Sequence, residues 1–404
     1  MEGKRDEAFD VPLRVMDAVK KHAPLAIRLS DDMAANPERS GSEFEASKKM
    51  VQLLSGGGYK VEYPFCGYDT AFNAVLSNGD GASVAILAEY DALPEIGHAC
   101  GHNVHGSMAI LAGLALAEMK DEFKGTLRII GTPAEEENGA KIGMAEKGVF
   151  DGLDLAMMIH SMDGGSNIPD MALMALKSYE FTFTGETAHG AVSPWTGRNA
   201  VSAARKFLDL IDARRQMFMP GDRVNGIIID GGRLTNIIPD KAVVQVEVRA
   251  DRMSRVEKSL FPGVLNCAKG AALALDCEVE WKKVTEDFAD MMQNKPAQEA
   301  VEKIMHGLGL KTSPVLAPAG SSDMGDVSYR CPSIQPLLAI TEESLGLHTR
   351  AMALATTKPE AHDAIVTGAA VMVSMALNIF NNRELRLEIT DSFKKATQQA
   401  NASA

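Results

Sequence analysis

The chain has 404 residues, with 41 lysines and arginines against 54 aspartates and glutamates, so its formal net charge is −13. Hydrophobic residues make up 46% and charged residues 24%, which is ordinary for a globular protein and excludes global disorder. The acidic balance argues against a nucleic-acid partner, which would favour a basic stripe. A chain of this length is expected to form two or three domains.

Three features that report on cellular location favour the cytoplasm. Residues 1–7 are charged and lack the apolar core of a signal peptide. The longest apolar run, near 364–380, is interrupted by polar residues such as Thr367 and Asn378, which predicts a buried helix and no membrane partner. The five cysteines are odd in number and scattered, which favours free thiols in a reducing compartment.

The first half of the chain alternates between predicted helices and strands. Ser40 and Glu43 have the spacing of a capping box, which predicts the start of a helix. Continuous apolar runs bounded by turns predict strands covered on both faces, as in a mostly parallel α/β sheet flanked by helices. The predicted strands lie at 82–88, 126–130 and 155–159, and an apolar helix is predicted at 106–119.

The pattern changes near residue 177 and returns to its earlier form near residue 290. Between these points the predicted order is β-α-β-β-α-β, the ferredoxin-like arrangement. The segments lie at 179–184, 198–217, 224–230, 242–249, 254–273 and 277–281. We therefore predict a main α/β domain formed by 1–176 and 290–404, with an inserted α+β domain at 177–289. After the insertion, a helix from 295, a strand at 334–340 and a long helix at 358–380 are predicted.

Residue types that bind metals follow the carboxyl ends of four predicted strands of the main domain. In open α/β sheets this edge is where ligands bind. Thiolate, imidazole and carboxylate groups together suit zinc or a similar transition metal. In the order of the strands, the residues are Cys100 with His102, Glu135 with Glu136, His160, and His348.

Each of these residues also has an ordinary structural explanation when it is taken alone. Cys100 behaves as a small buried hydrophobic residue, Glu135–Glu137 as a solvated charge run, and His160 as a core histidine. Taken together, these explanations require four independent coincidences at one sheet edge. The joint pattern therefore favours a metal site.

At these motifs the chain resembles a known family over nearly its whole length. The segments YDALP at 90–94, GHACGH at 97–102 and PAEE at 133–136 are similar to those of the dinuclear metallopeptidases that include aminoacylase and carboxypeptidases. More narrowly, they resemble the amidohydrolase branch, with the plant indole-acetyl-amino-acid hydrolases and p-aminobenzoyl-glutamate hydrolase. The segment SDMGDVS at 322–328 resembles the p-aminobenzoyl-glutamate and dipeptidase-like members.

The resemblance implies two divalent metal ions per chain, with zinc, manganese and cobalt all open, and gives the main domain the catalytic role. Glu135 would be the general base, although Glu137 is a rival for either glutamate role. Many members have aspartate where this chain has Asn103, which leaves the charge near His102 open. The implied ligands are Cys100 as the bridge, His102 with Glu136 at one ion, and His160 with His348 at the other.

Elementary chemistry agrees with these roles. A metal pair lowers the pKa of a bound water, and a carboxylate that is not a ligand can carry the proton to a leaving amine. We therefore predict a metal-dependent hydrolase that cleaves the amide bond of a small N-acyl amino acid or dipeptide-like substrate. One alternative is a non-catalytic descendant that binds a small molecule or a partner. Another is structural zinc, whose closed four-ligand site would leave no spare base such as Glu135.

The resemblance gives the inserted domain the role of a lid and dimerisation domain. Its histidine, His189, would be a second catalytic residue that reaches the neighbouring subunit's active site and stabilises the oxyanion. A homodimer or higher homo-oligomer is therefore expected. Asn236 and Arg249 are the candidate substrate-binding residues, and a surface or interdomain ion pair is an equal alternative for Arg249.

Overall fold

The structure, a computed structural model, describes residues 12–403, so the charged stretch at 1–7 lies outside the described residues. The described chain divides into two compact units. The first extends to Ala172 and includes Met291–Ala317 and the chain from Asp323 onward. The second comprises Leu173–Asp290 with Pro318–Ser322.

The first unit contains a central sheet, a separate pair of strands and most of the helices. Elements are numbered along the whole described chain. Its strands are β1 (Lys60–Glu62), β2 (Phe72–Asn78), β3 (Ala82–Ala88), β4 (Gly125–Gly131), β5 (Leu155–Met157), β6 (His160–Met162), β13 (Ser333–Ile334) and β14 (Leu337–Ala339). Its helices are α1 (Leu13–Ala35), α2 (Phe44–Gly56), α3 (His102–Glu118), α4 (Ala140–Glu146), α8 (Lys295–Gly307), α9 (Met324–Ser328), α10 (Arg350–Ala355), α11 (Pro359–Asn381) and α12 (Arg383–Ser403).

The central sheet is mixed and rich in parallel pairs, with the order β1-β2-β4-β3-β5-β13. β4, β3, β5 and β13 are parallel to one another, whereas β1 and β2 pair antiparallel. The predicted strand at 155–159 is interrupted, because β5 ends at Met157 and β6 begins at His160 to pair with β14 instead. The apolar pattern continues through residues 158–159, so it cannot reveal this change of partner.

The apolar run near 364–380 forms part of α11. This helix is long and apolar enough to cross a membrane, yet 72% of its most apolar window is buried inside the protein. It packs on α3, where a Cβ added to Gly368 would lie 2.4 Å from the sulfur of Met108. Because only glycine fits this close approach, the contact explains a residue with poor helix propensity inside a core helix. The predicted burial of this segment is confirmed.

The second unit is built on a four-stranded antiparallel sheet with the order β12-β7-β11-β9 and two longer helices packed on it. Phe181 and Phe183 alternate with polar residues along one strand, and both rings pack on Phe207 of a helix. The elements follow the predicted order β-α-β-β-α-β. The strands are β7 (Ala175–Thr184), β8 (Ala188–His189), β9 (Arg223–Asp230), β10 (Ile237–Ile238), β11 (Lys241–Ala250) and β12 (Glu278–Lys283), and the helices are α5 (Ala200–Arg214), α6 (Met253–Arg255) and α7 (Phe261–Ala274).

Candidate metal centre

The five predicted ligands come together in the first unit. The Cys100 Sγ lies 3.4 Å from the Nε2 of His160. Glu136 lies between two further imidazoles, with its Oε1 3.7 Å from the Nε2 of His102 and its Oε2 3.6 Å from the Nε2 of His348. One atom from each of Cys100, His102 and Glu136 lies within 4.8 Å of the others.

Unusual backbone conformations place these side chains. His102 is the first residue of α3 and follows Gly101, which adopts a left-handed φ of 84°. A Cβ at Gly101 would lie 2.7 Å from the Cβ of Ser161, so a side chain there would push the two segments apart. Ala134, just before the two glutamates, and His348 also have positive φ, at 59° and 61°. Such strain in residues other than glycine clusters at functional sites.

Hydrogen bonds fix the tautomers of two of the histidines. His102 Nδ1 lies 2.9 Å from a carboxylate oxygen of Asp91, and His160 Nδ1 lies 2.8 Å from the carbonyl oxygen of Ser161. Because both partners are acceptors, each Nδ1 carries the proton, an assignment made from the network. Each Nε2 therefore keeps its lone pair for a metal ion, as in the histidine ligands of metalloproteins.

Two buried polar atoms at the centre have no hydrogen-bond partner within the described part of the chain. They are the Nε2 of His102 and the Oε1 of Glu136. Buried polar atoms are nearly always partnered, and these two acceptors share no proton donor. A thiol, imidazoles and a carboxylate form a donor set that suits zinc and related divalent ions. The residues present therefore fit the metal pair that the sequence implies.

Burial and charge shift the pKa values of three groups around the centre. Burial raises the pKa of the Cys100 thiol to about 12 in the metal-free protein. Burial alone would also raise the pKa of Asp91, but the charge and hydrogen bond of His102 outweigh it and lower this pKa to about 2. Burial, with the negative charges of Glu89 and Asp323, holds the pKa of Glu135 well above its usual range.

Two further buried residues have metal-binding chemistry but are already engaged. The backbone N–H of Ser161 donates to the Nδ1 of His105 at 3.2 Å, so the ring proton is on Nε2. This Nε2–H donates to an oxygen of Glu89 at 3.0 Å, and the other Glu89 oxygen accepts from the ammonium group of Lys141. His105 and Glu89 therefore support the ligands without competing with them.

The predicted capping box is wrong, because its residues serve the centre instead. α2 begins directly after Glu43, and the Ser40 hydroxyl donates to a carboxylate oxygen of Asp91 at 2.7 Å. The buried carboxylate of Glu43 accepts hydrogen bonds from the backbone N–H of Ala134 at 2.9 Å and from the hydroxyl of Thr70 at 2.8 Å. These bonds hold the loop that carries the two glutamates.

The structure answers the question raised by Asn103. Its amide donates to the hydroxyl of Ser30 on α1 at 3.0 Å. The carboxylate that contacts His102 is Asp91, so asparagine at position 103 removes no charge from that imidazole.

The two glutamates of the PAEE segment differ from the third in exposure. The side chains of Glu135 and Glu136 are 12% and 7% exposed, whereas Glu137 is exposed. The Oε2 of Glu135 lies 4.0 Å from the Nε2 of His102. The buried pair, rather than Glu137, is therefore in position for the two roles implied by the sequence.

His189 and Asn236 belong to the second unit, where they meet in a short two-stranded ribbon formed by β8 and β10. His189 pairs with Ile237, and the Asn236 carbonyl accepts from the backbone N–H of Gly190 at 2.8 Å. Both candidate side chains are exposed. The Nδ1 of His189 accepts from backbone N–H groups of the following turn at 3.2 Å, which leaves Nε2–H as the donor of this ring.

Arg249 also lies in the second unit, on β11. Its Nε donates to Glu247 at 2.7 Å and its Nη1 to the hydroxyl of Ser321 at 3.0 Å. Within the described residues its Nη2 makes no hydrogen bond, so the guanidinium keeps a donor for a further carboxylate.

Comparison with known proteins agrees with this geometry. The profile of peptidase family M20/M25/M40 matches residues 85–378. The chain belongs to this family. A human Xaa-Arg dipeptidase is 34% identical over 98% of this chain and 94% of its own length. One of the p-aminobenzoyl-glutamate hydrolase polypeptides of Escherichia coli strain K12 is 24% identical over 94% of each chain.

The fold also has counterparts among solved structures. A dinuclear metal-binding peptidase of the M20 family from Bacillus subtilis superposes with a TM-score of 0.70, covering 89% of this chain and 99% of the other at 20% identity. The family membership makes this chain a metal-dependent hydrolase of amide bonds, as predicted. The alternative of a non-catalytic descendant gains no support, because every residue type of the implied site is present.

Proposed function

We propose that the five clustered residues hold two divalent metal ions and that Glu135 is the general base for hydrolysis of a dipeptide or an acyl amino acid. The single observation that carries this proposal is the pair of buried acceptors, His102 Nε2 and Glu136 Oε1, left without a proton donor at 3.7 Å from each other. When bound, the metal pair supplies a water of lowered pKa and polarises the amide carbonyl. The proposed ligands are Cys100, His102, Glu136, His160 and His348.

Glu135 is suited to proton transfer by its surroundings. Its carboxylate lies beside His102 and is largely buried, and its raised pKa brings it closer to neutral pH. A base with a pKa near the working pH both accepts a proton from water and returns it to the leaving amine. Asp91 has the separate task of orienting His102.

The substrate class rests on the relatives. The two curated relatives are named for Xaa-Arg dipeptides and for p-aminobenzoyl-glutamate. We place the substrate of this chain in the same chemical range, with an acyl group joined to an amino acid through an amide bond. The acidic net charge of −13 fits a small-molecule substrate of this kind as well as a basic one.

The second unit supplies the proposed lid and dimerisation surface. β9 is an edge strand of its sheet and carries Ile227 and Ile229, which are 64% and 54% exposed. An exposed apolar edge strand is a template for pairing with another chain. We assign this edge to a homodimer in which the His189 Nε2–H stabilises the oxyanion of the neighbouring subunit. The five free cysteines support a cytoplasmic location.

Metal removal tests the proposal directly. The purified protein should contain up to two divalent ions per chain by elemental analysis, with manganese, zinc and cobalt compared. A chelator should abolish hydrolysis across a panel of Xaa-Arg dipeptides, other dipeptides and acyl amino acids, and one of these ions should restore it. Full hydrolysis by a protein shown to be free of metal would refute the proposal.

A further inference from the structure

Three carboxylates converge beside the proposed metal centre, within the first unit. One oxygen from each of Glu89, Glu135 and Asp323 lies within 4.8 Å of the others. Glu89 and Asp323 are fully buried. Three like charges at this distance repel one another strongly in a low dielectric, so the arrangement requires a cation.

The chain provides this cation itself. Lys141, in the first turn of α4, is fully buried, and its Nζ lies 2.5 Å from the Oε1 of Glu89 and 2.6 Å from the Oδ1 of Asp323. Its backbone N–H donates to the second oxygen of Asp323 at 3.1 Å. Burial alone would lower the pKa of Lys141, but the charges of Asp323 and Glu89 outweigh it and raise this pKa, so the ammonium stays charged.

The same ion pair is continuous with the walls of the metal centre. The second oxygen of Glu89 accepts from His105 and lies 3.7 Å from the Nε2 of His102. Along the chain, Lys141 is five residues beyond Glu136, on the segment that carries both glutamates into α4. Lys141 therefore connects the loop after β3, the loop after β4 and the segment before α9.

We propose that Lys141 is a positioning residue, a cation built into the chain that takes the place of a third metal ion and keeps Glu135 beside His102. The inference rests on the proposed role of Glu135. The ammonium group neutralises Glu89 and Asp323, which leaves the third carboxylate free to face the reacting water. Without it, the three carboxylates either separate or recruit a cation from solution.

Replacement of Lys141 by methionine tests both consequences. Lys141→Met removes the charge and keeps a side chain of similar length. We expect this variant to bind one more Ca²⁺ per chain than the wild type in equilibrium dialysis, because Ca²⁺ prefers carboxylate oxygens. Its melting temperature should rise with added Ca²⁺, whereas that of the wild type should not. Its kcat without Ca²⁺ should fall by about 10–100-fold, as for other residues that orient metal ligands, with KM within about twofold.

Two matched variants control for charge and for general destabilisation. Lys141→Arg keeps a cation and should recover much of the kcat without gaining a calcium response. Lys147→Met removes an exposed lysine directly after the same helix, whose Nζ donates to the Cys66 carbonyl and lies over the Tyr68 ring. This variant should match the wild type in kcat and in its lack of a calcium response.

The outcomes separate this inference from the proposed function. If Lys141→Met folds only with Ca²⁺ present, the calcium dependence itself supports the inference. If it does not fold under either condition, Lys141→Met combined with Asp323→Asn removes one charge of each sign; this double variant should fold, bind less Ca²⁺ than one ion per chain and keep the kcat defect. A wild-type kcat together with no calcium response in a folded variant overturns the inference. A wild type that hydrolyses substrate without metal overturns the proposed function instead.

Discussion

In the first unit His102 is fully buried and its Nδ1 donates to Asp91, whereas in the second unit His189 is exposed and its Nδ1 accepts from the backbone of its own turn. The first imidazole depends on a network that reaches from Ser40 to Glu136. The second depends on a few neighbouring residues of one loop.

This difference follows from the cost of burying polar groups. A buried charge must be paired and hydrogen-bonded, so the metal centre requires many partners that fit together. An exposed donor needs no such network, but it stabilises an oxyanion well only where water is excluded. The centre is therefore expected to be organised in each chain alone, while His189 is expected to require a second surface.

The largest expected effect is on the buried side of this comparison. Glu135→Gln should lower kcat by about 10²–10⁴-fold, because the general base is lost, while the metal content and the fold stay unchanged. Glu137→Gln is the matched control and should be active, since Glu137 is exposed. Measured kcat and elemental analysis decide the matter: loss of metal in Glu135→Gln with retention in Glu136→Gln would mean that the two roles are exchanged.

The second expected effect concerns the exposed side. His189→Ala should lower kcat by about 10²–10³-fold, as for loss of one oxyanion donor, with metal content unchanged. The decisive measurement mixes His189→Ala with Glu135→Gln under conditions in which subunits exchange. If His189 acts across the interface, one site of each mixed dimer has both residues, and activity returns.

Two results would count against this assignment of His189. A mixture that stays inactive, after exchange has been verified with labelled subunits, would place His189 in the active site of its own chain. A protein that is monomeric by light scattering and fully active would remove the need for a second subunit. The metal centre would be unaffected in either case, since its ligands all lie in the first unit.

The parts of the molecule that could be predicted from the sequence are those with local signals. Continuous apolar runs reveal β3 and β4, and the residue types after each strand reveal Cys100, Glu136 and the other candidate ligands. The partners of these residues could not be predicted. Lysine and glutamate are almost always exposed, so nothing in the sequence predicts that Lys141 and Glu43 are fully buried. Their positions depend on contacts between segments far apart in the chain.

The smallest expected effect concerns Arg249, whose two roles the structure leaves side by side. It pairs with Glu247, yet one of its nitrogens has no hydrogen-bond partner among the described residues. As a ligand for a substrate carboxylate, Arg249→Gln should raise KM by about tenfold or more with little change in kcat, since a charged hydrogen bond contributes about 1.5–3 kcal/mol. Glu247→Gln is the matched control, because it removes the ion pair and keeps the guanidinium. It should leave KM unchanged and lower the free energy of unfolding by less than about 1 kcal/mol, since both side chains are about one-third exposed. If both variants keep the wild-type KM and lose the same small amount of stability, Arg249 serves only as an ion-pair partner in the second unit, and the substrate carboxylate is held elsewhere.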